Sequence, residues 1–261
     1  MTSVSQRLNV IQHRSAAADS PMALSVPIWV ALLTGGAPPD WLLHPREAQA
    51  LSPRAVPKRR DDFLRGRAVG RELARQVLGL DPASIALLPD DRGVPWLEDD
   101  HQGRLPFSLS LSHTAEVAGA ALARLPWLVG IDVEHPIESP GTVMGDYFEP
   151  GEAARCDHAD EAEVRWRAAE VWALKEAGLK ALGTGLTVPA SAIVVHAVGG
   201  EANPEGWHGA KIVLGDAAPD RHRTARAWVR RTLRVVVALA VLSDPQDGRA
   251  VVPEAPRFLR G

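Results

Sequence analysis

Apolar and polar residues alternate along this chain with two different periods. From Lys58 to Leu80 the apolar positions Phe63, Leu64, Ala68, Val69, Leu73, Val77 and Leu78 recur at three- and four-residue intervals, predicting a helix that ends at Gly79. A second long helix is predicted over Glu161 to Leu182, closed by Gly183 and Gly185. The other apolar runs are shorter and read as strands. The first is Val26–Leu33; Leu105–Ser112 and Glu116–Arg124 follow around a brief connection, and Val129–Glu134 comes next. Later strands are predicted at Ala192–Ala197, Lys211–Leu214, Ala225–Arg230 and Leu233–Leu242. A Pro-containing stretch runs to Pro57, and Asp90-Asp91-Arg92-Gly93 marks a turn.

The order of these elements hints at duplication. Each half has a long helix, then a strand with a polar start, a short break and a very apolar strand. The pairs are Phe107–Leu111 with Val117–Ala123, and Ala225–Val229 with Val235–Leu242. The expected fold class is α+β, with two similar α/β lobes joined near Leu125–Leu128. The expected division is a disordered leader at 1–20, an N-terminal lobe at 21–126 and a C-terminal lobe at 127–261. A cleft between two such halves is a common place for a ligand.

Composition narrows the function classes. The formal net charge of −3 gives no reason to expect a nucleic-acid binder. Charge is unevenly placed, however: between Arg46 and Arg75 nine basic residues stand against four acidic ones. Such a local cationic surface suits a small polyanion better than a duplex, although a solvated Arg-rich helix would read the same way. Cys156 is the sole cysteine, which rules out an intrachain disulfide and a Cys-based zinc site. The run within Met22–Ala37 is short, carries Pro27 and follows Asp19, so it reads as a buried strand and not as a targeting signal. No window is long and apolar enough to span a bilayer, and a cytoplasmic protein is the expectation.

Three short segments carry candidate chemistry. In Gly130-Ile131-Asp132-Val133-Glu134, residues two apart share a strand face, so Asp132 and Glu134 project together, opposite Ile131 and Val133. Neighbouring carboxylates repel unless a cation lies between them, and Mg²⁺ takes oxygen ligands of this kind. An exposed polar strand face would look alike. On the second helix Glu176 and Lys180 lie four apart, the spacing of a surface ion pair contributing about 0.3–0.5 kcal/mol. The same spacing lets a carboxylate reach a metal while an ammonium reaches the phosphates it binds. Gly178 costs about 1 kcal/mol relative to Ala inside a helix, which makes sense where something approaches closely. Finally, the alternating strand Phe107–Leu111 runs into Ser112-His113-Thr114, whose hydroxyl, imidazole and amides are suitable phosphate donors. No Gly-x-Ser-x-Gly elbow accompanies Ser112, which argues against a serine hydrolase.

Taken in order, these segments resemble the two-lobed (Sfp-type) 4′-phosphopantetheinyl transferases over roughly residues 25–245. The carrying motifs are the basic helix from Lys58 to Arg67, Ser112-His113-Thr114, and Gly130 to Glu134. The last is Trp172-Ala173-Leu174-Lys175-Glu176-Ala177-Gly178-Leu179-Lys180 with the glycines after it. The resemblance implies two lobes in pseudo-twofold arrangement with the active site in the cleft between them. It implies transfer of the 4′-phosphopantetheine arm of coenzyme A to a serine of an apo acyl or peptidyl carrier protein, with Mg²⁺, releasing 3′,5′-ADP. Asp132, Glu134 and Glu176 match the metal-binding carboxylates, and Glu176 and Lys180 the catalytic pair. Ser112, His113, Lys175 and Lys180 match residues that meet the coenzyme A phosphates, and Arg59 and Arg67 those of the 3′-phosphate pocket. Phe148 and Glu152 are similar to a Phe-x-x-x-Glu motif. This chain departs from the pattern at Gly93-Val94-Pro95, where many relatives have Gly-Lys-Pro, and at Leu109 and Ser110, where Phe and Asn are usual. A complete site in one chain would suit a monomer. The alternatives are a non-catalytic module that binds coenzyme A or carrier proteins, and another Mg²⁺-dependent nucleotide enzyme. The second is weakened because the chain has no Gly-x-x-x-x-Gly-Lys-[Ser/Thr] loop.

Overall fold

A computed structural model describes residues 8–10, 27–35, 43–52, 55–157, 160–184, 187–214, 224–242 and 257–258. In chain order the elements begin with β1 (Leu8–Val10), β2 (Ile28–Thr34), α1 (Pro45–Ala50), α2 (Pro57–Leu78), β3 (Ile85–Pro89) and β4 (Pro95–Asp99). There follow β5 (Gly103–Arg104), β6 (Phe107–His113), β7 (Val117–Arg124), β8 (Leu128–Glu134), α3 (Pro140–Tyr147) and α4 (Pro150–Cys156). The last are α5 (Glu161–Leu182), β9 (Ile193–Gly199), β10 (His208–Leu214), β11 (Thr224–Arg231), β12 (Val236–Leu242) and β13 (Arg257–Phe258). Helices and mostly antiparallel sheets are thus mixed along the chain. Among the described residues no helix is long and apolar enough to cross a membrane.

The chain divides into two compact units, Met1–Pro126 with Arg249–Gly261, and Trp127–Gly248. In the first, a sheet runs β1-β2-β7-β6, with β13 pairing β2 in parallel through Arg257–Trp29 and Phe258–Val30. That pairing joins Arg257 and Phe258 to the sheet of the first unit. Of the expected leader 1–20, Leu8–Val10 form a strand against Leu33–Ala31, which departs from disorder at those three residues; the remainder lies outside the described residues. Val69, Leu73 and Ala74 of α2 pack on Ala31, Leu33, Ala118, Ala120 and Leu122 of the sheet. The second unit has one antiparallel sheet, β8-β12-β11-β10-β9, covered by α5.

The two long helices, each 22 residues, end on glycines in the left-handed region, Gly79 at φ 68° and Gly183 at φ 63°, where a side chain would be strained. Gly185 and Leu186, the other end of that motif, lie outside the described residues. The hairpins β6–β7 and β11–β12 turn in the same way. Thr114 N donates to Val117 O, and the Thr114 hydroxyl accepts from Glu116 N and Val117 N. Thr232 repeats this with Val235 O, Arg234 N and Val235 N. Leu233 is consequently the fully exposed tip of a turn and not the start of a strand; β12 begins at Val236.

The hairpin β3–β4 and the short helices α1, α3 and α4 escape the sequence pattern. The Asp90–Gly93 turn closes β3–β4, with the Asp90 carboxylate accepting from Arg92 N and Val94 N. Glu47 on α1 is buried, pairs with Arg71 and accepts from Leu87 N at 2.8 Å, so one of the helix arginines is structural. Cys156 sits fully buried in the second core, where burial pushes its thiol up to about 11.

β8 and α5 approach unusually closely. A Cβ on Gly130 would overlap the Ala177 carbonyl oxygen outright and lie 2.5 Å from Ala181 N. Both neighbours are backbone, so no rotamer change relieves the clash. Gly130→Ala is therefore expected to destabilise the protein by about 1–3 kcal/mol or more, read as a lower urea midpoint. Toward the N-terminal end of α5, Arg231 of β11 is gripped by Glu163 at 2.7 Å and Glu170 at 2.7 Å. Hydrogen bonds from Arg231, then Arg167, hold the Glu163 carboxyl down at about 2. A depressed carboxylate stabilises above its ordinary value of 4.5 and loses that contribution as pH falls through about 2. Glu163→Gln is expected to lower stability at pH 7 and to flatten its decline between those two values, as measured by denaturation at a series of pH values.

Candidate active site

Because Gly130 faces α5, so do Asp132 and Glu134, the next residues of that strand face. Asp132 is only 3% exposed. The face opposite Ile131 and Val133 is therefore a buried contact with a helix at Asp132, and not the open surface a polar strand face suggests. On α5, Trp172, Glu176 and Lys180 are spaced four apart and turn toward these acids. The Lys180 ammonium donates to Asp132 Oδ1 at 2.6 Å. The Trp172 indole donates to the Glu134 carboxylate, and its ring lies 5.2 Å from that of Tyr147.

The charges in this cluster are poorly balanced. Burial, followed by the Asp132 carboxylate, pushes Glu134 up to about 7 against the opposing pull of Lys180 and the Trp172 hydrogen bond. Burial and then Asp132 also raise Glu176, with Lys180 again opposing. Three carboxylates thus act on one another with one ammonium among them, and additional positive charge would relieve the group. Oxygen donors of this kind fit a hard divalent cation. The fit is one of ligand type and charge: among the described residues, no three His, Cys, Asp or Glu side chains converge into a ready metal cage.

One expectation on α5 needs correction. Lys175, expected at the coenzyme A phosphates, is 0% exposed and points into the second core. Its ammonium donates to Ile193 O at 2.5 Å and pairs with Glu152 at 2.8 Å, with the Phe148 ring 5.7 Å away. Lys175 and the Phe-x-x-x-Glu motif are therefore one buried arrangement. Gly178 does mark a close approach, and the neighbour is the sheet: a Cβ there would lie 3.1 Å from Ile212 and 3.2 Å from Ile193.

The first unit holds a separate basic pocket of about 540 Å³, lined by Lys58, Arg59, Asp62, Phe63, Arg67 and His113 among others. Arg67 lies 3.8 Å over the Phe63 ring, and its buried Nε has no hydrogen-bond partner among the described residues. Burial lowers its proton affinity, which Glu47 opposes. A desolvated cation with an unused donor favours an anionic ligand. Asp62 partly offsets the charge, pairing with Arg65 at 2.9 Å and Lys58 at 3.5 Å and lying 3.7 Å from His113 Nδ1. Ser112 falls on the other face of β6 and is buried, so the pocket gathers Arg59, Arg67 and His113 without it.

Sequence reasoning did not single out Trp172, Lys58, Asp62 or Phe63. The i, i+4, i+8 series Trp172, Glu176, Lys180 was a readable signal for the first. The others were visible only as members of a basic helix.

Comparison with known proteins places the segments that carry these residues in one family. A family profile described as the 4′-phosphopantetheinyl transferase superfamily matches residues 128–213, from β8 through α5 to β10. A second, the 4′-phosphopantetheinyl transferase N-terminal domain, matches residues 46–123. A protein named phosphopantetheinyl transferase from Thraustochytrium sp. is 32% identical over 136 residues, covering 47% of this chain and 46% of that protein. The chain thus aligns with slightly less than half the length of that relative. Two profiles of one family match successive parts of the chain in order. The acidic strand and the Trp-to-Lys helix fall inside one match, and the basic helix and Ser-His strand inside the other. On these grounds the chain belongs to the 4′-phosphopantetheinyl transferase superfamily.

Proposed function

We propose that the protein transfers the 4′-phosphopantetheine arm of coenzyme A to a serine hydroxyl of an apo acyl or peptidyl carrier protein, releasing 3′,5′-ADP. The observation that carries this reading is the meeting of Asp132 and Glu134 on β8 with Glu176 and Lys180 on α5, around the 2.6 Å Lys180–Asp132 contact. Asp132, Glu134 and Glu176 would hold a divalent cation, Mg²⁺ in this proposal, which supplies charge neutralisation at the pyrophosphate. In the first unit, Arg59, Arg67 and His113 would take the remaining phosphate charge of the donor. Lys175, buried against Glu152, has no part in donor contact.

Transfer of this type asks for positioning and electrostatic stabilisation, with no covalent enzyme intermediate. The carrier serine oxygen forms a bond to the β-phosphorus as the bond from that phosphorus to the bridging oxygen breaks. Glu176 takes the serine proton; its burial raises its proton affinity, as a base requires. Lys180 donates to the oxygen that leaves with 3′,5′-ADP. A non-catalytic module that only binds coenzyme A or carriers would have no use for all four side chains.

Incubation with apo carrier, coenzyme A and Mg²⁺ is expected to add one phosphopantetheine to the carrier, detected by intact-mass spectrometry. Unchanged mass across fatty-acid, polyketide and peptide-synthetase carriers would establish the binding module instead. Glu176→Gln is expected to lower kcat about 10²–10⁴-fold while coenzyme A still binds. Lys180→Met is expected to cost about 10²–10³-fold. Arg67→Leu should raise KM for coenzyme A by about 10–100-fold, the equivalent of a charged hydrogen bond, and have little effect with 3′-dephospho-coenzyme A.

A further inference from the structure

We infer that the buried Lys175–Glu152 pair is a positioning device, fixing the rotation of α5 so that Glu176 and Lys180 meet Asp132 and Glu134. The inference rests on the transferase reading for what those four residues do, while its geometry is independent of that reading. The buried face of α5 mixes the small residues Ala168, Ala169, Ala173, Ala177, Gly178 and Ala181 with Val171, Leu174 and Leu179. The small residues allow close approach, as at Gly130, and apolar contacts, whether of alanine or leucine, are non-directional.

The Lys175 interactions are directional where those contacts are not. Its ammonium bonds Ile193 O and Glu152 Oε2. Glu152 Oε1 accepts from Val195 N at 2.6 Å, and Oε2 accepts from Glu149 N at 2.7 Å. One point therefore ties α5 to the start of β9 and to the first turn of α4. Glu176 is the next residue, about 100° around the helix, so any rotation that freed Lys175 from Ile193 would carry Glu176 through the same angle. A buried ion pair is a weak source of net stability, because desolvation offsets its attraction; fixing one arrangement among similar ones is its better-attested use.

Lys175→Met alone would strand the Glu152 charge in the core and risk unfolding. The informative variant is therefore Lys175→Met with Glu152→Gln, which is neutral and keeps an amide oxygen for Val195 N. Thermal melting confirms that it folds; Mn²⁺ binding by electron paramagnetic resonance and steady-state kinetics then report on the site. A positioning role predicts Mn²⁺ affinity weaker by about 10–100-fold. It predicts kcat lower by about 10–100-fold, with KM for coenzyme A changed by no more than about twofold. A folded variant with wild-type Mn²⁺ affinity and kcat overturns the inference. Should the wild-type protein bind Mn²⁺ but transfer nothing, the transferase reading fails and the Mn²⁺ comparison alone decides the positioning role. If the double variant does not fold, Glu152→Asp, which keeps both charges but draws the carboxylate back from Lys175, is read by the same measurements, and unchanged values again overturn the inference.

Discussion

The close contact between β8 and α5 at Gly130 is the constraint on which the site depends. Helix and strand backbones come so near that no side chain fits between them at this point. Two residues further along the strand, Asp132 therefore lies within reach of Lys180, and Glu134 within reach of Trp172. The acids are buried by the same contact that brings the helix to them. Burial raises the energetic cost of their charges, and that cost gives the cluster its demand for a cation. Packing and chemistry are one arrangement here, since loosening the first would relax the second.

The two units solve their charge problems differently. In the second, negative charge is in excess and clustered on facing elements. In the first, positive charge lines a pocket, and part of it is neutralised locally by Asp62. Not every cation in the basic helix belongs to that pocket. Arg71 is paired with the buried Glu47, and Arg65 bonds the Ala115 carbonyl and Asp62, so both brace the fold. Arg67 differs from both: it lies over Phe63, and its buried Nε has no hydrogen-bond partner among the described residues.

Much of this was legible in the sequence. The two long helices, the two apolar hairpins and the acidic strand all follow from periodicity, because each buries a broad apolar face. The hairpin β3–β4 was not legible: Ile85-Ala86-Leu87-Leu88-Pro89 is short, and its partner Pro95–Asp99 is half polar. The site was legible as a set of residue types but not in its orientations. The i, i+4 spacing of Glu176 and Lys180 correctly puts both on one face, yet nothing in it separates them from Lys175, one residue away on another. That Lys175 turns inward depends on Glu152, more than twenty residues upstream, and on the Ile193 carbonyl, which no side-chain pattern reveals. Gly178 shows a similar limit: a helical glycine announces a close neighbour without naming it, here a pair of isoleucines.

The Lys175–Glu152 pair also bears on how such a chain can change over time. Losing either charge alone leaves the other stranded in a dry interior, a heavy penalty, whereas losing both together is far less severe. Positions 152 and 175 are therefore joined by strong epistasis, and paths through sequence space that alter one of them pass through a poorly folded intermediate. Descendants of this chain are constrained to keep both residues or to exchange them as a unit.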